Sequence, residues 1–99
     1  MSDTQRLRAL LEKRLEIVQQ IGRLNARQLK NRQIFSGLDL EVMRCERDLL
    51  QRVDAAVTDG LADVRLQYGA ALAALAEDER DLMEWYGRLD ALDREISKQ

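Results

Sequence analysis

Apolar side chains recur three and four residues apart through the last third of the chain, at Leu61, Val64, Tyr68, Ala71, Leu75, Leu82, Trp85, Leu89, Leu92 and Ile96, with Asp78 the one polar residue in the series. A period of 3.5 residues belongs to a helix lying against other helices. Upstream, Leu7, Leu10, Leu11, Ile17, Val18, Ile21, Leu24 and Leu29 mark an earlier helix, with Asp3 or Thr4 placed to cap its start. From Asn25 to Gln33 this stripe turns polar, with Gln28 and Asn31 at its heptad sites. The run Ile34-Phe35-Ser36-Gly37-Leu38-Asp39 then offers a break, Ser36 and Asp39 having the spacing of a capping box. Phe35, Leu38, Val42, Cys45 and Leu49 nevertheless keep the first helix's frame, as a kinked but continuous helix also would.

A second candidate break is Thr58-Asp59-Gly60. The frame through Leu49 and Ala56 predicts its next core site at Asp63, yet the stripe restarts at Leu61, a two-residue slip beside a glycine suited to a helix C-terminus. Gly69 and Gly87 lie inside the last helical pattern and are candidate points of close backbone approach. The pattern therefore predicts one all-α domain over residues 1–99, an antiparallel helical hairpin or a three-helix bundle with coiled-coil packing. Its helices fall at about 4–34, 38–57 and 61–97, the last two joining if the second break is not used. A hairpin turned only at Gly37 would leave part of its longer arm uncovered, so either arrangement predicts association as a dimer or with a partner.

Composition agrees with long helices: charged residues are 34% of the chain and aromatics only 4%. Net charge is −2, but residues 1–35 hold eight Lys/Arg against three acids and residues 36–99 hold eight against fifteen. Paired antiparallel, a basic arm and an acidic arm would complement each other; unpaired, the basic face would suit an acidic partner. Arg23, Arg27 and Lys30 share one helix face at spacings of four and three. The longest glycine-free apolar run, Ala70 to Ala76, is far short of the roughly 20 residues that span a bilayer. The polar start of the chain shows no secretion signal, and a lone Cys45 suits a reducing compartment, so the expected location is cytoplasmic.

Catalytic residue types are scarce. There is no histidine and no phosphate-binding glycine loop, so Glu12/Glu16 and Glu77/Asp81/Glu84 lack the Glu-x-x-His partners of bundle metal sites. No metal and no cofactor are expected. Cys45, without a histidine to activate it, reads as a small core residue. Asp78, pointed inward by the heptad frame, is expected to pair with an arginine of the first arm and fix register. Arg14 and Arg52 fall at comparable seam sites. Nucleic-acid binding would rest on Arg23, Arg27 and Lys30 alone, with no aromatic platform beside them.

Two stretches resemble the all-helical chorismate mutase family. Leu10-Leu11-Glu12-Lys13-Arg14-Leu15-Glu16-Ile17-Val18-Gln19-Gln20-Ile21-Gly22 is similar to its first helix, and Glu46-Arg47-Asp48-Leu49-Leu50-Gln51-Arg52-Val53 to the start of its second, together about a fifth of the chain. The resemblance implies Arg14 and Glu46 as substrate-binding residues. Asn25 stands where the family has a lysine, Cys45 where it has an arginine, and the upstream arginine has no counterpart, so the cations that grip a dicarboxylate are lacking. A second resemblance is to the secreted Trp-x-Gly helical hairpins. Phe35-Ser36-Gly37 stands in for their turn motif, and Tyr86-Gly87-Arg88-Leu89-Asp90 fits their Tyr-x-x-x-Asp/Glu export signal, while the actual Trp85-Tyr86-Gly87 lies far from either expected turn.

The expected function is that of a non-enzymatic helical protein–protein interaction module, an adaptor, chaperone or assembly factor, binding a protein partner or a second copy of itself. Trp85, Tyr86, Leu89 and Leu92 are the candidate contact residues, with Arg23, Arg27 and Lys30 selecting the partner by charge. The alternatives are a chorismate mutase-like enzyme or a degenerate relative of one, and a small secreted hairpin or export-system component.

Overall fold

A computed structural model describes residues 2–99 and contains two helices, α1 over Asp3–Gln51 and α2 over Ala55–Ser97, packed against each other with no strand among the described residues. The fold is an all-α antiparallel hairpin. Among the described residues there is no third helix, and both sequence-derived breaks are corrected. Ser36 and Gly37 lie inside α1, and Asp59 and Gly60 inside α2. Breaking α1 at Gly37 would strand four carbonyls and four N–H groups at new helix ends, whereas continuing costs only about 1 kcal/mol for a helical glycine. The unbroken frame through Phe35, Leu38, Val42, Cys45 and Leu49 repays that cost by keeping every seam residue facing α2.

The two-residue slip of phase is real, but it sits earlier than Gly60, at the three-residue turn Arg52-Val53-Asp54. Asp54 makes this turn. Its Oδ1 accepts the N–H of Val57 at 2.9 Å and its backbone carbonyl accepts the N–H of Thr58 at 3.1 Å, the first bond of α2. Arg52 Nε reaches Asp54 Oδ2 at 2.9 Å, which places Arg52 in the turn and not at the seam. At the other end α1 starts with a reciprocal capping box that uses Ser2 rather than Asp3 or Thr4. The Gln5 N–H donates to Ser2 Oγ and the Ser2 N–H to Gln5 Oε1, each at 3.2 Å.

Two compact units divide the contacts, Met1–Arg27 with Asp78–Gln99, and Gln28–Glu77. In the first, Ile21, Leu24 and Leu82 form a buried cluster against which Ile17, Trp85 and Leu89 pack, with Leu10 and Leu92 also buried. Burying each of these side chains stabilises the fold by roughly 1.5–3 kcal/mol. In the second, Leu61, Val64 and Ala71 are buried, the rings of Phe35 and Tyr68 meet at 4.9 Å, and Arg65 pairs with Glu46 at 3.2 Å. All eleven seam positions of α2 from Leu61 to Ile96 are buried or half-buried. Leu11, Val18 and Leu29, expected on the inner face of α1, are exposed because they stand one step round the helix from the seam. Gly69 and Gly87 are not points of close approach: a Cβ built at either meets nothing within 4 Å.

Candidate protein-interaction surface

The first unit holds most of the residues that the sequence singles out. Among the described residues Asp78 is its one buried charged side chain, only 2% exposed, and occupies a seam position of α2. A carboxylate there is tolerated because α1 supplies a cation: Arg27 Nε donates to Asp78 Oδ1 at 2.6 Å, and Arg27 Nη2 to Asp81 Oδ2 at 2.7 Å. Arg14, also at a seam position, turns its head outward and donates to Asp93 Oδ1 at 2.7 Å. The hydrogen bonds to Asp81 and Asp78 hold the Arg27 guanidinium above the ordinary arginine range, and the hydrogen bond to Asp93 with that carboxylate's charge does the same for Arg14. Both arginines therefore stay charged at any physiological pH and act as fixed register pins between the helices. The expected pairing of Asp78 with a first-arm arginine is present, and it draws Arg27 into the hairpin.

Of the seven candidate binding residues, the structure gathers three at one place and separates the rest. Leu92 is buried and Leu89 half-buried in the seam, where they supply rigidity. Trp85 is also a half-buried seam residue, but one side of its indole opens into a groove between α1 and α2, lined also by Ile17, Gln20, Arg23, Arg88 and Leu92. Lys13, Glu16 and Glu95 stand along the same groove. Arg23 leans on Gln20 Oε1 at 3.3 Å within it. Tyr86 is exposed, and its place next to the seam puts it on the opposite flank of the hairpin. Lys30 belongs to the other unit.

Sequence reasoning missed Arg88. Its guanidinium lies 4.3 Å from the Trp85 ring centroid, a cation–π contact, while its Nη2 donates to Glu84 Oε1 at 2.5 Å. The signal was present as Glu84 to Arg88 at four residues and Trp85 to Arg88 at three, both spacings that bring side chains together on a helix. The result is an aromatic floor with a cationic rim formed by Arg23 and Arg88, and carboxylates of Glu16 and Glu95 set among them. This arrangement can seat an apolar side chain on Trp85 and pair charged groups around it. Among the described residues no group of three or more Cys, Asp or Glu could hold a metal ion.

No family model matches this chain, and neither a curated protein nor a solved structure matches it. Among the described residues no helix is long and apolar enough to cross a membrane.

Proposed function

We propose that the chain is a non-enzymatic protein–protein interaction module, an adaptor, chaperone or assembly factor working in the cytoplasm, whose groove beside Trp85 takes a helix of a partner protein. The observation that carries this reading is the half-buried Trp85 with Arg88 stacked on it and Arg23 at the rim. A rigid aromatic with arginines beside it is the side-chain set enriched where binding energy concentrates. The seam beneath holds it still, so little ordering entropy opposes docking. An apolar residue of the partner would lie on the indole and an acidic residue would meet Arg23, which sets direction along the groove.

Arg23→Glu reverses the rim charge on an exposed side chain and leaves the seam intact. In a pull-down from source cells the full chain is expected to retain a partner that the Arg23→Glu chain loses; equal capture by both, with circular dichroism unchanged, refutes the reading. The chorismate mutase-like alternative is disfavoured by two ion pairs. Arg14 is held by Asp93 and Glu46 by Arg65, so the two counterparts of substrate-binding residues are already engaged. Incubation with chorismate is expected to leave its absorbance unchanged. The secreted-hairpin alternative loses its turn motif, since Phe35-Ser36-Gly37 lies within α1.

A further inference from the structure

In the unit that holds the turn, residues 28–77, the two helices show faces of opposite charge to solvent. Along α1 the seam passes through Phe35, Leu38, Val42, Cys45 and Leu49, and the four acids of residues 28–51 each stand next to one of these, at Asp39, Glu41, Glu46 and Asp48. The positions turned away from α2 therefore hold Lys30, Arg44 and Arg47 and no acid. They also hold Leu40, Met43 and Leu50, which are 64%, 59% and 89% exposed. On α2 the signs reverse. Its one base in this unit, Arg65, pairs with Glu46 beside the seam, and the positions turned away from α1 carry Asp59, Asp63 and Glu77 among small residues such as Ala62, Ala70 and Ala73. Among the described residues no ion pair engages any of these six outward charges, not even Arg44 with Asp48 four residues on.

The two sets of charges match in spacing and in height. Lys30, Arg44 and Arg47 are 14 and 3 residues apart, and Glu77, Asp63 and Asp59 are 14 and 4 apart along the antiparallel helix. Across the seam Phe35 meets Tyr68 and Arg65 meets Glu46. The register averaged over those two contacts sets Lys30 level with Glu77, Arg44 with Asp63 and Arg47 with Asp59, to within about one helical turn. We infer that these faces bind each other on successive copies of the chain, the hairpins side by side in one orientation with α1 of one against α2 of the next. Three free bases then meet three free acids, and Leu40, Met43 and Leu50 meet an alanine-rich surface, large side chains against small. A nucleic acid or an anionic membrane would answer the bases alone and leaves the three acids at the same heights without a counterpart. Exposed ion pairs add little affinity, so the apolar contact supplies it and the charges fix register and direction. Because the two faces differ, the contact is head-to-tail, and each added copy presents the same pair of faces again.

Sedimentation velocity of the full chain over a wide concentration range is expected to show species growing past twice 11.4 kDa and shrinking as salt is raised. Arg44→Glu with Arg47→Glu makes the turn end of both faces acidic, and Asp59→Lys with Asp63→Lys makes it basic on both. Each double variant alone is expected to assemble about tenfold or more weakly, and an equimolar mixture of the two to regain the wild-type series, because unlike faces then alternate. Recovery on mixing needs both chains folded, so it reads the contact and not the stability of either variant. Leu40→Ser with Met43→Ser, on exposed positions, is expected to weaken assembly about tenfold with circular dichroism unchanged. A wild-type chain that stays monomeric or stops at a dimer overturns the inference. Double charge variants that assemble alone as the wild type does, or a mixture no larger than its separate components, overturn it as well. The groove beside Trp85 lies in the other unit, so partner capture there is read by a separate measurement and either result can fail alone.

Discussion

Replacing Gly37 and Gly60 with alanine separates the two-helix hairpin from a chain that turns at either glycine. Both residues lie inside helices with no positive φ, and a Cβ at either meets nothing within 4 Å. The substitution therefore adds no clash and removes only the glycine's excess chain entropy, about 1 kcal/mol at each site. The sites share no partner, so the effects should add to about 2 kcal/mol. For a chain of this length 1 kcal/mol shifts the melting temperature by roughly 4–8 °C, so the double variant should melt roughly 8–16 °C higher. Far-UV circular dichroism during heating and in urea, at one fixed protein concentration because association would shift the midpoint, reads this directly. A turn using either glycine in the left-handed conformation would instead lose roughly 1–2 kcal/mol on gaining a Cβ. A fall in the midpoint for either single variant refutes the uninterrupted helices.

Three further outcomes follow from the packing. Leu24→Ala, in the buried cluster with Ile21 and Leu82, should cost roughly 2–5 kcal/mol in urea denaturation, whereas Leu66→Ala, on the exposed side of α2, should change stability by less than about 0.5 kcal/mol. Asp54→Ala removes the cap that starts α2 and should cost about 1 kcal/mol, largely recovered in Asp54→Ser. Arg27→Met alone should destabilise, since it removes a cation from the buried Asp78. Combining it with Asp78→Leu should bring stability back to the wild-type level or above, and a thermal melt in which the double variant falls below Arg27→Met would contradict the pairing.

The inward face of α2 was legible in the sequence because one apolar side chain every three or four residues, from Leu61 to Ile96, has only one helical reading, and Asp78 stood out as the position needing a cation. The turn was not. Arg52-Val53-Asp54 has no glycine or proline, and the good helix formers Ala55 and Ala56 after it let the first frame run on past its true end. The two-residue slip is visible in the sequence, but Gly60 is a more conspicuous helix breaker than anything in Arg52-Val53-Asp54. Between Leu49 and Leu61, Asp54, Thr58 and Asp59 can all cap a helix, so the sequence alone does not single out Asp54. On α1 the seam and the stripe beside it are both apolar near Leu10, Leu11, Leu15 and Ile17, so the sequence merged two faces that the structure separates. The groove was beyond periodicity, since it needs Arg23 and Trp85, 62 positions apart, to be set across one seam.

Action of the chain through the groove beside Trp85 is probed by a photo-crosslinking side chain placed at Arg23 in source cells. The same group at Leu66, which is exposed in the other unit, serves as the reference. Position 23 is expected to give one discrete adduct, with a protein that position 66 does not capture. The same set of weak adducts from both positions would contradict it.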